Sequence, residues 1–221
     1  KAIELNPNYT DAHNNLGIIF QGLGEYQKAK ECYERTIELN PDYADAHYNL
    51  GNIFKELGEN QKAKECYEKT IELNPNHVAA HNNLGVIFEE LKENQKAKDC
   101  YEKAIEIDPN FANALNNLGA IFLDLGEHQR AKECFEKVIK INPNDVDAYY
   151  NFGVTLMLLG KLERAKECFE KALSKDKTNK RYLCTYGDLL LKMNDHLKGI
   201  KFLEKSDGVI KFSQSDFKII K

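Results

Sequence analysis

Residues 44–77 read ADAHYNLGNIFKELGENQKAKECYEKTIELNPNH, and most of the chain is this stretch written again with changes. Stepping 34 residues either way from Pro75 gives Pro7, Pro41, Pro109 and Pro143, which are all the remaining prolines. A fixed period of this length marks a repeat architecture. Five full copies cover 10–43, 44–77, 78–111, 112–145 and 146–179. Residues 1–9 read as the end of a preceding copy, 180–208 as a sixth, degenerate one, and 209–221 as a C-terminal cap or linker.

Inside a copy, apolar residues fall at helical spacing twice, as in Leu16, Ile19, Phe20, Leu23 and then Ala29, Cys32, Tyr33, Thr36, Ile37. Each copy is therefore expected to be two helices. Gly24, Gly58, Gly126 and Gly160 stand where the first helix should end in a left-handed residue, with Lys92 and Asn194 as departures. The second helix should stop at Asn-Pro or Asp-Pro, because proline disfavours a helical conformation in the residue before it. Glycines 17, 51, 85, 119, 153 and 187 and alanines 29, 63, 97, 131 and 165 recur inside the helices. A glycine there costs about 1 kcal/mol relative to alanine, so its repetition implies close helix contact.

The set Leu16-Gly17, Phe20, Ala29, Tyr33, Thr36 and Pro41, with its counterparts in the next four copies, resembles the tetratricopeptide repeat family over about residues 1–205. His13, His47 and His81 stand where that family often has tryptophan. The resemblance implies an all-α fold: a right-handed superhelical solenoid of antiparallel helix pairs, with first helices lining a concave groove and second helices facing out. The second helices fit an outward role, since Lys28, Lys30, Glu31, Glu34 and Arg35 place opposite charges at i,i+3 and i,i+4.

On the side that the resemblance assigns to the groove runs a ladder of Asn15, Asn49, Asn83, Asn117 and Asn151. An amide both donates and accepts. At ~10 Å spacing such a row would meet an extended peptide about every third residue; the alternative is a row of capped or solvated amides. The repeat regions of protein O-linked N-acetylglucosamine transferases have similar ladders, and the resemblance is to that region only. Asp11, Asp45 and Asp147 precede the ladder by one turn, and Tyr48 and Tyr150 stand beside it. Peptide contacts are therefore expected from Asn15, Asn49, Asn83, Asn117, Asn151, Asp11, Asp45, Tyr48 and Tyr150. Family members that clamp a C-terminal carboxylate have Lys or Arg where this chain mostly has Asp, which argues against that ligand. Further along the same helices, Gln21, Lys55 and Glu89 give way to Leu123, Met157 and Leu191, so the groove should turn from polar and acidic to apolar.

The charge balance is −4, with 31 basic and 35 acidic residues interspersed, which argues against nucleic acid as a partner. Mean hydropathy is −0.59, and the sequence has neither a membrane-spanning apolar run nor a signal-peptide layout at its start. The first residues read as a helix end, so the chain is expected to begin inside a larger protein. Cys32, Cys66, Cys100, Cys134 and Cys168 follow the packing period without any C-x-x-C pair, and read as buried thiols in a reducing, cytoplasmic compartment. No cofactor, metal site or catalytic group is expected: the histidines fall one per layer and H-E-x-x-H is absent. Lys177 replaces the sixth proline, and VIKFSQSDFKII at 209–220 reads as two short apolar runs around a polar turn.

The function these features point to is a protein-interaction scaffold that binds an extended peptide or partner segment. The alternative is the substrate-recognition arm of a larger enzyme, a glycosyltransferase or an iron-dependent oxygenase, with its catalytic domain elsewhere. Self-association through the solenoid ends or the C-terminal tail is a further expectation.

Overall fold

In a computed structural model of the chain, residues 8–206 are described in full and the strand segments 209–212 and 217–220 by their backbone. The helices are α1 Thr10–Gly22, α2 Tyr26–Leu39, α3 Ala44–Glu56, α4 Asn60–Leu73, α5 Val78–Glu90 and α6 Asn94–Ile107. They continue as α7 Ala112–Asp124, α8 His128–Ile141, α9 Val146–Leu158, α10 Leu162–Lys175, α11 Lys180–Lys192 and α12 His196–Lys205. Strands β1 Val209–Phe212 and β2 Phe217–Ile220 pair antiparallel, with Val209 opposite Ile220, and β1 lies against α12. The chain divides into two compact units at Ala114–Leu115, within α7.

Each first helix ends as its sequence requires. Gly24, Gly58, Gly126 and Gly160 have φ of 72–75°, and Lys92 and Asn194 take the same left-handed turn at 61° and 64°. At the other end of each copy the pre-proline residue is extended, as in Asn74 with φ −136° and ψ 89°. Its side chain adds a device the prolines conceal. Asn40, Asn74, Asp108 and Asn142 each accept, through Oδ1, the backbone N–H two residues on, at 2.9–3.2 Å. Asp176 does the same to Thr178 at 3.1 Å although Lys177 stands in place of proline. The side-chain turn thus closes α10 without the ring, and α11 follows in the usual way.

The core lies between copies and between the paired helices. Ile53 and Ile87 are fully buried, whereas Ile19, the same position in the first copy, is 58% exposed. Tyr33, Tyr67, Tyr101, Phe135 and Phe169 are also fully buried, each against a first-helix glycine. A Cβ at Gly85 would stand 2.5 Å from Tyr101 Cε1. His81 is buried and His47 half-buried, and each Nε2 lies 2.9 Å from the carbonyl oxygen of the preceding proline, Pro41 or Pro75. A carbonyl only accepts, so Nε2 carries the proton.

Candidate functional site

The asparagine ladder lies along the first helices, and its amides reach back one copy. In the first unit, Asn49 Nδ2 donates to Asn14 Oδ1 at 3.2 Å. Asn83 Nδ2 donates to Asn52 Oδ1 at 3.0 Å and to Tyr48 Oη at 3.3 Å, while its own Oδ1 accepts from Asn82 at 3.1 Å. In the second unit, Asn151 Nδ2 donates to Asn116 Oδ1 at 3.3 Å. Asn49, Asn83, Asn117 and Asn151 are half-buried and Asn15 is exposed. Within each unit these amides therefore form junction bonds between first helices. Asn49 and Asn151 each keep an amide oxygen and a second N–H unassigned among the described residues.

The acidic positions are tied to the same junctions. Asp11 accepts from Tyr43 Oη at 3.0 Å, and Asp147 from Tyr182 Oη at 2.6 Å. Burial, followed by these bonds to the carboxylates, raises both phenols above their ordinary range. Asp45 faces His77 Nε2 at 3.8 Å. His77 also caps α5, its Nδ1 accepting from the Ala80 N–H at 3.1 Å, and its ring lies 4.6 Å from that of Tyr48. Burial lowers its pKa, with Asp45 opposing. The neutral ring, with the proton on Nε2, satisfies both contacts.

The two tyrosines differ. Tyr48 is half-buried and holds Asn83 in place. Tyr150 is only 5% exposed, stacks on Tyr182 at 4.8 Å and shares a hydrogen bond with Thr185 at 2.9 Å. Its ring is part of the wall between α9 and α11.

The polar-to-apolar change along the first helices has a partner that the sequence reading missed. Twelve residues after each such position comes the buried aromatic of the paired helix. Tyr33 Oη donates to Gln21 at 2.8 Å and Tyr101 Oη to Glu89 at 2.6 Å. Lys55 has no acceptor, and Tyr67 turns its hydroxyl to Asn52 instead, at 2.8 Å. Where Leu123 and Met157 replace the polar residues, the aromatics are Phe135 and Phe169, which have no hydroxyl to satisfy. The available signal was this paired change at a fixed offset.

Of the periodic cysteines, Cys134 and Cys168 are buried as expected, whereas Cys32, Cys66 and Cys100 are only half-buried. Burial pushes the thiol of Cys66 up to about 12 and those of Cys100 and Cys168 to about 11, so each stays protonated at neutral pH. Among the described residues no group of three or more His, Cys, Asp or Glu side chains is placed to hold a metal ion, and no helix is long and apolar enough to cross a membrane.

This architecture is found in known proteins. Models of the tetratricopeptide repeat match residues 10–43, 44–77, 78–111 and 112–145, and a second such model matches 134–167. The chain belongs to the tetratricopeptide repeat family. Among solved structures, MamA is 27% identical with a TM-score of 0.64, over 78% of this chain and 94% of that one. The fold is also that of Pseudomonas aeruginosa PilF, at TM-score 0.78 and 24% identity, over 87% of this chain and 88% of PilF. YrrB, described as a TPR protein with an unusual peptide-binding site, has a TM-score of 0.64 and 24% identity, over 92% of this chain and 96% of YrrB. No curated protein sequence matches the chain.

Proposed function

We propose that this tetratricopeptide repeat chain is a protein-interaction module that holds an extended segment of a partner against its first helices. The observation that carries this reading is the residual hydrogen-bonding capacity of the ladder. Asn49 and Asn151 each use one N–H to bridge a junction and keep an oxygen and an N–H for a second partner. Asn15 is exposed, and Asp11 and Asp45 flank it and Asn49 with negative charge. A peptide main chain offers alternating donors and acceptors, so such a row engages it with little dependence on side-chain sequence. Tyr48 and His77 make the adjoining wall, and the acidic edge favours partners with basic side chains.

The test is a peptide array probed with the chain and with its Asn15→Ala, Asn49→Ala and Asn151→Ala variants, well below their melting temperatures. Each bridging bond is neutral and so contributes about 1 kcal/mol, which leaves the variants folded. Captured peptides should be lost progressively from single to triple variant. Unchanged capture by the triple variant removes the ladder from the reading.

The resemblance of the ladder to those of protein O-linked N-acetylglucosamine transferases supports a second reading, in which the same face selects substrates for a larger enzyme. The full-length coding sequence decides between the two by whether it continues into a catalytic domain.

A further inference from the structure

A different face of the second unit departs from the repeat. In the early second helices each cation near the C-terminal end is closed on a carboxylate three residues on: Arg35 with Glu38 at 2.9 Å, and Lys69 with Glu72 and Lys103 with Glu106 at 3.0 Å. In α8 and α10 the carboxylate position holds Lys140 and Ser174, so Lys137 and Lys171 lose that partner. Lys171 instead lies 4.6 Å over the ring of Tyr149 and donates to its hydroxyl at 3.2 Å. Lys175 and Lys177, both exposed, have no carboxylate partner among the described residues. The change is not local. Residues 171–221 carry 12 basic and 6 acidic side chains, whereas the chain as a whole is net acidic.

Two cavities open along the same helix. One, of about 390 Å³, is lined by Leu173, Leu183, Tyr186 and Phe202, with the exposed Lys177 and Lys205. The one carboxylate lining it, Glu170, accepts from Tyr186 Oη at 2.8 Å. The other, of about 210 Å³, is lined by Pro143, Val146 and Tyr149 with Lys171 and Lys175, and Ser174 borders both. α12 has 10 residues where the other second helices have 14, and it stops at Lys205, whose turn lines the larger cavity. A volume of this size accommodates one large apolar side chain, within the range of ~300–1,000 Å³ seen for ligand pockets.

We propose that this face of α10 is a binding surface separate from the asparagine row, and that it takes an acidic peptide segment carrying an apolar anchor. The anchor enters the cavity between Leu173, Leu183 and Phe202. Carboxylates before and after it meet Lys171, Lys175, Lys177 and Lys205: Lys171 and Lys205 hold the position whose cation the early copies pair with a carboxylate, and Lys175 and Lys177 stand where those copies have Leu or Ile and Pro. Opposite charge steers the encounter and the apolar side chain holds the complex.

Fluorescence anisotropy on the full chain tests this with a labelled peptide of glutamates and aspartates around a single phenylalanine. The controls are the same peptide with serine for phenylalanine and with lysines for the acids. Lys171→Glu/Lys175→Glu/Lys177→Glu and Ser174→Trp change exposed positions only, and circular dichroism checks that both variants keep their helices. The acidic phenylalanine peptide should bind, both controls should bind less, and both variants should weaken binding about tenfold or more. Added salt should weaken it further. The Asn151→Ala variant should bind as the parent does. Equal binding of the lysine peptide, or full binding by both variants, overturns the proposal. So does a result in which no peptide binds but the charge reversal abolishes concentration-dependent light scattering, because the face then receives a second copy of the chain.

Discussion

Asn83 Nδ2 lies 3.3 Å from Tyr48 Oη and 3.0 Å from Asn52 Oδ1, so one side chain of the third copy ties down two of the second. Since Tyr67 Oη also donates to Asn52, at 2.8 Å, the ladder reaches the buried aromatic layer. Replacing Asn83 with Ala removes two donors and leaves the Asn52 oxygen with one. The expected loss is about 1–2 kcal/mol in urea unfolding. Asn15→Ala, at an exposed position, should change stability by less than about 0.5 kcal/mol. Equal effects from the two would mean that the junction bonds carry no energy.

That contrast also separates what the sequence discloses from what it hides. The helices and their left-handed ends are legible because an apolar period and a glycine act within a few residues. Even Lys92 follows, since the next helix must start in register whatever residue makes the turn. The role of Asn83 depends on the distance between copies and on which neighbour offers an acceptor, so its period alone leaves groove contact and junction bond equally open. Tyr150 looks like a groove residue by register, yet the approach of Tyr182 at 4.8 Å buries it. The charge balance conceals a similar difference: the chain up to Ala114 has 12 basic and 20 acidic residues, and from Leu115 onward 19 and 15.

The two kinds of helical glycine should respond oppositely to alanine. Gly22 lies in the last turn of α1 with nothing within 4 Å of an added Cβ. Gly22→Ala should therefore stabilise, by up to about 1 kcal/mol from helix propensity. Gly85→Ala forces its Cβ against the fully buried ring of Tyr101 and should destabilise by about 1–3 kcal/mol. Thermal denaturation of the pair checks the signs, and a stabilising Gly85→Ala would show that the aromatic layer yields.

His77 should make the first unit sensitive to mild acid. Its folded pKa lies below the ordinary value, because burial disfavours the imidazolium more than Asp45 favours it. The unfolded chain therefore takes up the proton first. The contribution to stability is complete above about pH 6.5 and falls as pH drops through the unfolded and then the folded pKa. Protonation also removes the Nδ1 acceptor for the Ala80 N–H. Asn is a good N-cap that does not titrate, so His77→Asn should keep the cap and flatten stability between pH 7 and 5 (roughly). The groups facing the ring are Asp45, His81 and Tyr48. Asp45→Asn should steepen the dependence by lowering the folded pKa further, and identical slopes in all three proteins would assign the titration elsewhere.

The pairing of Tyr101 with Glu89 predicts a coupled double substitution. The hydroxyl donates to Glu89 Oε2 at 2.6 Å, and burial, then the carboxylate, raises the phenol above its ordinary range. Tyr101→Phe leaves the half-buried carboxylate without its donor, and Glu89→Leu leaves the hydroxyl without its acceptor. Each should cost about 1–3 kcal/mol. Making both changes imports the combination already present as Phe135 with Leu123 and Phe169 with Met157. The double variant should then be less destabilised than the two single losses together, with a coupling of about 1–2 kcal/mol in a double-mutant cycle. Strict additivity would mean that the Tyr-to-Phe and polar-to-apolar changes along the chain are independent. Coupling of the expected size would show that the first-helix surface cannot alter its polarity at this position without a matching change in the core behind it.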